Sequence, residues 1–288
     1  MDDIPCISLP PTAPHPHTHT VVFLHGRGDM VQNFAASLDY SRDSQQRTLR
    51  ELFPSFKWVF PQAPLRLCAA GPGDRIRQWF DIWNVADFGD REDLQAEGLA
   101  TSVAAVRRVL AAEAAALGGR WDRLVLAGIS QGAATSVHTL LNLNAAGSQG
   151  EQSPPRKLAA FLGFSCRLPF PGRTLAETRK VLGLHHSGGE EAAGDEVLRN
   201  TPVLLEHCVD DPLVLVRNGR VLRDALRGFG MQVEWVEYPD GGHWFNSPAG
   251  IDDVVKFLNK HLAGQLDAAG GGGASTTIAH DPDGMDLS

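Results

Sequence analysis

Ser130 stands at the centre of Gly128-Ile129-Ser130-Gln131-Gly132, with a short apolar run, Arg123-Leu124-Val125-Leu126-Ala127, immediately before it. After it, Ala133-Ala134-Thr135-Ser136-Val137-His138-Thr139-Leu140-Leu141 carries the apolar spacing of a helix. A G-x-S-x-G between strand and helix forms a turn so sharp that only glycine fits beside the serine, and it lifts the hydroxyl to a helix N-terminus. Developing negative charge is favoured there. A serine hydroxyl is a weak nucleophile until a base takes its proton, and the base needs an acid to fix its tautomer.

The C-terminal half supplies both partners. Pro202–Val209 reads as a strand that ends in the turn Asp210-Asp211-Pro212, and a helix is expected from about Val216 to Arg227. Val233–Tyr238 alternates as a strand does and runs into Pro239-Asp240-Gly241-Gly242-His243. Serine after one strand, acid after a later one and histidine after the last is the order of an acyl-transfer site on a parallel sheet. Asp211 is favoured over Asp210 because Pro212 fixes the turn that follows it, but Asp210 is a rival. The donors for an oxyanion are expected to be the backbone N–H of Gln131 and one from His25-Gly26-Arg27-Gly28, which leaves both side chains free to vary. Gly26 and Gly28 then bring the main chain close to the reacting carbonyl, and His25 reads as a residue that holds this loop. No step calls for a metal or an organic cofactor.

These residues need a scaffold. Thr20–Leu24, Lys57–Phe60 and Leu158–Phe164 read as buried strands, and Leu94–Leu117 as a long alanine-rich helix capped by Asp93 and stopped by Gly118-Gly119. Ile251–Leu258 is the last helix. Strands alternating with helices predict a doubly wound α/β fold, a mostly parallel sheet with helices on both faces. Residues 1–19 read as an extended arm, 20–263 as one domain, 169–200 as an inserted mobile loop and 264–288 as a disordered tail. His15, His17 and His19 alternate as in a metal tract, but a solvated arm is the better reading, and His185 and His186 read as solvated too. Leu65–Asp93 is an irregular, aromatic-rich loop where substrate is expected to lie.

With 288 residues, 43% of them hydrophobic, the chain is long enough for one large core, and its net charge of −8 argues against a nucleic-acid partner. Four cysteines lack zinc-like spacing, the first residues lack the pattern of a signal peptide, and no apolar run reaches bilayer length. A cytoplasmic protein without membrane insertion is expected.

His25-Gly26-Arg27-Gly28-Asp29, Phe60-Pro61-Gln62-Ala63-Pro64, Trp79-Phe80-Asp81-Ile82, Gly128–Gly132, Asp211-Pro212-Leu213-Val214 and Gly242-His243 together resemble the phospholipase/carboxylesterase family, whose members include the acyl-protein thioesterases. The resemblance covers about residues 20–262. It implies the α/β-hydrolase fold and a Ser130, Asp211, His243 triad, the acid being the aspartate before P-L-V. It also implies oxyanion donors at Arg27 and Gln131, and thioester or oxyester substrates: acylated proteins, lysophospholipids or small esters. Gln62, Trp79 and Phe80 are the expected substrate-contacting side chains. Arg27 stands for a usual apolar residue, Gln62 for a histidine, Cys208 for a glycine and Leu215 for a proline. The resemblance favours a thioesterase. A general carboxylesterase or lysophospholipase is the alternative within the same chemistry, and a non-catalytic binding protein of the same fold is the alternative outside it.

Overall fold

Apolar strands and amphipathic helices alternate along the chain, and in the computed structural model, which describes residues 4–143, 156–184 and 195–270, they form a seven-stranded sheet. In chain order the elements are β1 (Cys6–Leu9), β2 (His19–Leu24), α1 (Val31–Ser37), α2 (Leu49–Leu52) and β3 (Phe56–Pro61). A hairpin of β4 (Leu65–Cys68) and β5 (Gly71–Arg77) follows, then α3 (Gln95–Ala116), β6 (Leu124–Ile129) and α4 (Gln131–Leu141). The C-terminal half adds β7 (Ala160–Phe164), α5 (Leu175–Val181), α6 (Glu196–Asn200) and β8 (Val203–Cys208). It closes with α7 (Val216–Gly228), β9 (Val233–Tyr238) and α8 (Ala249–Gly270). The sheet order is β1-β3-β2-β6-β7-β8-β9, and every neighbouring pair is parallel except β1 with β3.

Because side chains alternate across a strand, each central strand feeds two cores. Val22, Leu24, Leu124, Leu126 and Leu205 pack on one face against α3, α4 and α7, through Leu99, Val103, Val137 and Leu222. Val21, Phe23, Val125, Ile129 and Leu204 pack on the other against α1 and α8, through Phe34, Val254 and Phe257. Helices on both faces make the sheet doubly wound.

Four boundaries differ from the sequence expectation. The N-terminal arm is extended but belongs to the sheet: β1 adds an antiparallel edge strand to β3, and His19 already belongs to β2. His17 bonds Thr20, and His19 is buried against Thr18 and Gln265, so the histidines are held apart by separate partners. The segment 169–200 is structured on both sides of residues 185–194, which lie outside the described residues with His185 and His186. Thr174 and Glu177 form a reciprocal capping box that starts α5, and α6 buries Val197 and Leu198. Residues 264–270 extend α8, with Leu266 on the core and Gln265 bonded to His19, so the tail cannot begin at 264. Finally, the aromatic loop contains the β4–β5 hairpin, and α3 is entered through a 3-10 turn, Glu92–Leu94, without a cap from Asp93.

Candidate active site

The turn between β6 and α4 holds Ser130 at φ 56° and ψ −125°, a backbone a non-glycine residue adopts only when its surroundings enforce it. Two close contacts do so. A Cβ on Gly128 would lie 2.6 Å from the backbone nitrogen of Ala133, and one on Gly132 would run into the carbonyls of Leu24 and His25. The Ser130 N–H donates to the Phe164 carbonyl at 3.0 Å, which ties the turn to β7. The hydroxyl therefore sits at the N-terminus of a buried helix, where a developing anion is stabilised.

Asp211 follows β8 and is buried; His243 follows β9 on a glycine turn with φ +125° at Gly241 and +63° at Gly242. A Cβ at Gly241 would press on the Cys208 sulfur at 2.7 Å, so this turn too admits only glycine. The turn brings His243 Nδ1 to 2.8 Å from Asp211 Oδ2, while Asp211 Oδ1 accepts the N–H groups of Leu213 and Val214 at 2.9 Å each. Burial alone would raise the Asp211 pKa. Hydrogen bonds from His207 and His243 and from the Val214 N–H outweigh it and hold the carboxyl well below the usual range. An ionised carboxylate can only accept, so His243 carries its proton on Nδ1 and offers the Nε2 lone pair to the cavity that it shares with Ser130. Asp210, the rival acid, is exposed and accepts the Gly242 N–H at 2.8 Å, which fastens the histidine turn.

Arg27 and Gln131, the expected oxyanion donors, line the same cavity, and a Cβ on Gly26 would sit 3.5 Å from the Ser130 Cβ. Their side chains are not free to vary. Gln131 accepts the Trp79 N–H at 2.9 Å and donates to the Phe80 carbonyl at 2.7 Å, while Arg27 Nε donates to Gln78 Oε1 at 2.8 Å. His25 is buried and holds the loop: Nδ1 donates to the Gly26 carbonyl at 2.7 Å and Nε2 accepts the Ala63 N–H at 3.0 Å.

The three expected substrate contacts do not reach the cavity wall. Trp79 and Phe80 are fully buried, the Trp79 indole donating to the His25 carbonyl at 2.8 Å. Gln62 is buried and accepts the Val31 N–H at 2.9 Å. Trp79 and Gln62 shape the loops behind the site because each side chain finds its polar partner in the protein, and the Phe80 ring is buried in the core. The cavity, about 700 Å³, is walled instead by Ile82, Val85, Phe88, Leu213, Val214 and Trp244, with the guanidinium-bearing Arg167 among them.

Two residues were missed by sequence reasoning. His207, within β8, lies 3.4 Å from Asp211 Oδ2 and donates to the Val214 carbonyl at 2.6 Å, so it positions the acid's turn. Its signal was a titratable residue, with Glu206 beside it, inside a strand that otherwise reads as buried. Arg167 was marked as the single charge between Lys157 and Arg173, in a stretch that is otherwise largely apolar.

A doubly wound sheet with a serine at a strained strand–helix turn, and acid and histidine on later strand ends, is the architecture of the α/β-hydrolases, and the chain is a serine hydrolase of esters or thioesters. It belongs to the phospholipase/carboxylesterase family, whose model matches residues 11–262. Acyl-protein thioesterase 1 of Gibberella zeae is 30% identical over 250 residues, covering 85% of this chain and 92% of that protein. Acyl-protein thioesterase 1 of Schizosaccharomyces pombe is 29% identical over 69% of this chain and 70% of its own. The crystal structure of acyl-protein thioesterase 2 of Zea mays superposes with a TM-score of 0.68 at 26% identity, covering 90% of this chain and 99% of that one. Among the described residues no helix is long and apolar enough to cross a membrane.

Proposed function

We propose that the protein cleaves acyl thioesters, in the manner of an acyl-protein thioesterase, through an acyl-enzyme on Ser130. The observation that carries this reading is the 2.8 Å bond between a buried, ionised Asp211 and His243, which lines the same cavity as Ser130. His243 Nε2 takes the hydroxyl proton as Ser130 Oγ attacks the carbonyl carbon. The oxyanion meets the N–H groups of Arg27 and Gln131, each such donor contributing about 2.7–4 kcal/mol to transition-state stabilisation. His243 then returns the proton to the leaving thiolate or alkoxide, and water repeats the sequence to free the acid.

The names of the relatives favour acylated proteins as substrates. The general carboxylesterase or lysophospholipase reading stays beside it because the cavity wall is not wholly apolar. A cytoplasmic location is part of the same proposal. It accords with four cysteines that form no disulfide, Cys68, Cys166 and Cys208 being buried. A series of acyl-thioesters and p-nitrophenyl esters of rising chain length tests the assignment: thioesters of long chains cleaved with the higher kcat/KM support a thioesterase, and a preference for short oxyesters supports the carboxylesterase.

A further inference from the structure

A buried charge is costly unless something pairs it. Arg167 follows β7 and is 6% exposed, and it lines the cavity that contains Ser130 and His243. Its chain position keeps it near the reacting serine. Phe164, whose carbonyl holds the Ser130 N–H, lies three residues before it, at most about 11 Å of extended backbone. Among the described residues the guanidinium makes one hydrogen bond, from an Nη to Gln95 Oε1 at 2.7 Å, and it lies over the Phe88 ring at 4.1 Å. Gln95 is itself fixed by donating to the Phe88 carbonyl at 2.9 Å, so the arginine is held in place rather than left to swing.

Glu92 is the nearest carboxylate influence, but one of its oxygens is taken by the Phe170 N–H at 2.7 Å. No carboxylate among the described residues comes within ion-pair distance of Arg167. Burial pushes its pKa down to about 10, with Glu92 opposing, so it remains a cation at neutral pH. An arginine carries five N–H donors in a planar fork. One is used by Gln95, and the fork borders open space. A second cavity of about 370 Å³ shares Val85, Phe88, Arg167 and Leu213 with the first, so Arg167 lines both. Apart from Arg167, that second cavity is lined by Asp87 and Glu92 against Arg217, one carboxylate in excess, whereas the first is lined by Arg27 and Arg167 against Asp29, one cation in excess, so the first is the place for an anion.

We propose that Arg167 is a specificity residue that receives an anionic oxygen group, a carboxylate or phosphate, on the substrate some distance from its scissile carbonyl. The proposal rests on the serine-hydrolase reading above and names the substrate class for the same site. A guanidinium matches a carboxylate or phosphate in two parallel hydrogen bonds, whereas the methyl end of a fatty acyl chain would desolvate the cation and return nothing. The walls on the way, Ile82, Val85 and Phe88, suit the methylenes between the carbonyl and the anion.

The test compares mono-p-nitrophenyl esters of adipate, suberate and sebacate with neutral p-nitrophenyl esters of the same chain length. A parallel arm compares lysophosphatidate with the monoacylglycerol of the same acyl chain. The anionic-to-neutral ratio of kcat/KM should fall about ten- to a hundredfold in Arg167→Leu, the range of a charge-assisted hydrogen bond, and only partly in Arg167→Lys. A fall confined to the dicarboxylate arm places the anion on the acyl chain; a fall confined to the lysophospholipid arm places it on a phosphate headgroup. A ratio unchanged in both arms, with neutral esters still cleaved, overturns the role of Arg167 and leaves the hydrolase reading standing. If no ester is cleaved and a fluorophosphonate fails to label the protein, the hydrolase reading fails instead. Calorimetry with free octanoate and the neutral octanamide then decides the arginine separately. Tighter binding of octanoate that is lost in Arg167→Leu supports it, and equal binding of the two overturns it.

Discussion

Replacing Asp211 with asparagine changes one atom of the carboxyl group and should disable the site through the tautomer of His243. Asp211 Oδ1 accepts two N–H groups, from Leu213 and Val214, each at 2.9 Å. An amide nitrogen in that position would face two donors, so the asparagine must keep its oxygen there and turn its NH2 toward His243. That NH2 lies 2.8 Å from Nδ1 and can only donate, so the imidazole must present a lone pair at Nδ1 and move its proton to Nε2. The nitrogen that should receive the serine proton is then already protonated. A serine triad with the wrong histidine tautomer loses about 10⁴-fold in kcat. Asp211 does not border the cavity, so KM should change little. Asp210→Asn is the control: its oxygen can still accept the Gly242 N–H, and kcat should stay within a few-fold. Stopped-flow or steady-state hydrolysis of p-nitrophenyl acetate reads both. Asp211→Asn within tenfold of the native enzyme, or a larger loss in Asp210→Asn, would refute this reasoning.

Other perturbations follow from the same geometry. Burial first, and the Asp253 carboxylate second, push the Glu206 carboxyl well above its usual pKa, so the folded protein keeps a proton that the unfolded chain releases above about pH 4.3. Stability attributable to Glu206 therefore falls as pH rises past that value. Glu206→Gln should raise Tm at pH 8, with the gain vanishing below about pH 4, and a gain that grows on acidification would contradict this. Truncation after Gly264 removes the Gln265 bond to His19 and the contact of Leu266, and should lower Tm by about 2–4 °C for each kcal/mol lost; an unchanged melting curve would show that the last turns of α8 contribute nothing. Arg27→Leu leaves Gln78 Oε1, in a buried side chain, without its partner and should cost about 1–3 kcal/mol of stability. It should shift KM equally for neutral and anionic esters, and a selective rise for anionic ones would show that the Arg27 guanidinium attracts the anion.

The elements that carry the candidate site were legible because each has a local signature. Glycines flank Ser130 where a Cβ cannot fit, Pro212 follows Asp211, and two glycines precede His243. What was illegible depends on which way a side chain turns. Trp79 and Phe80 in a loop read as a substrate surface, yet the Trp79 indole found a buried carbonyl at His25 and both rings went inward. The Arg27 side chain read as free to vary, but Gln78, far away in sequence, claims its guanidinium. Arg167 faces the cavity although it sits in an apolar run, where burial rather than chemistry is the first inference. Edge strand β1 has only four residues and alternates weakly, so its pairing with β3 came from tertiary context. The turns of α8 past Leu262 lack a strong apolar stripe and are helical because Leu266 and Gln265 find partners on the domain.

Intact-mass measurement after treatment with a fluorophosphonate, followed by peptide mapping, tests the central claim most directly, because only an activated serine reacts. One adduct per chain on the peptide containing Ser130 is expected. The adduct should be absent in Ser130→Ala, together with a loss of esterase turnover on the order of 10⁶-fold. An unlabelled native protein, a label on another serine such as Ser136 or Ser165, or full turnover in Ser130→Ala would contradict it.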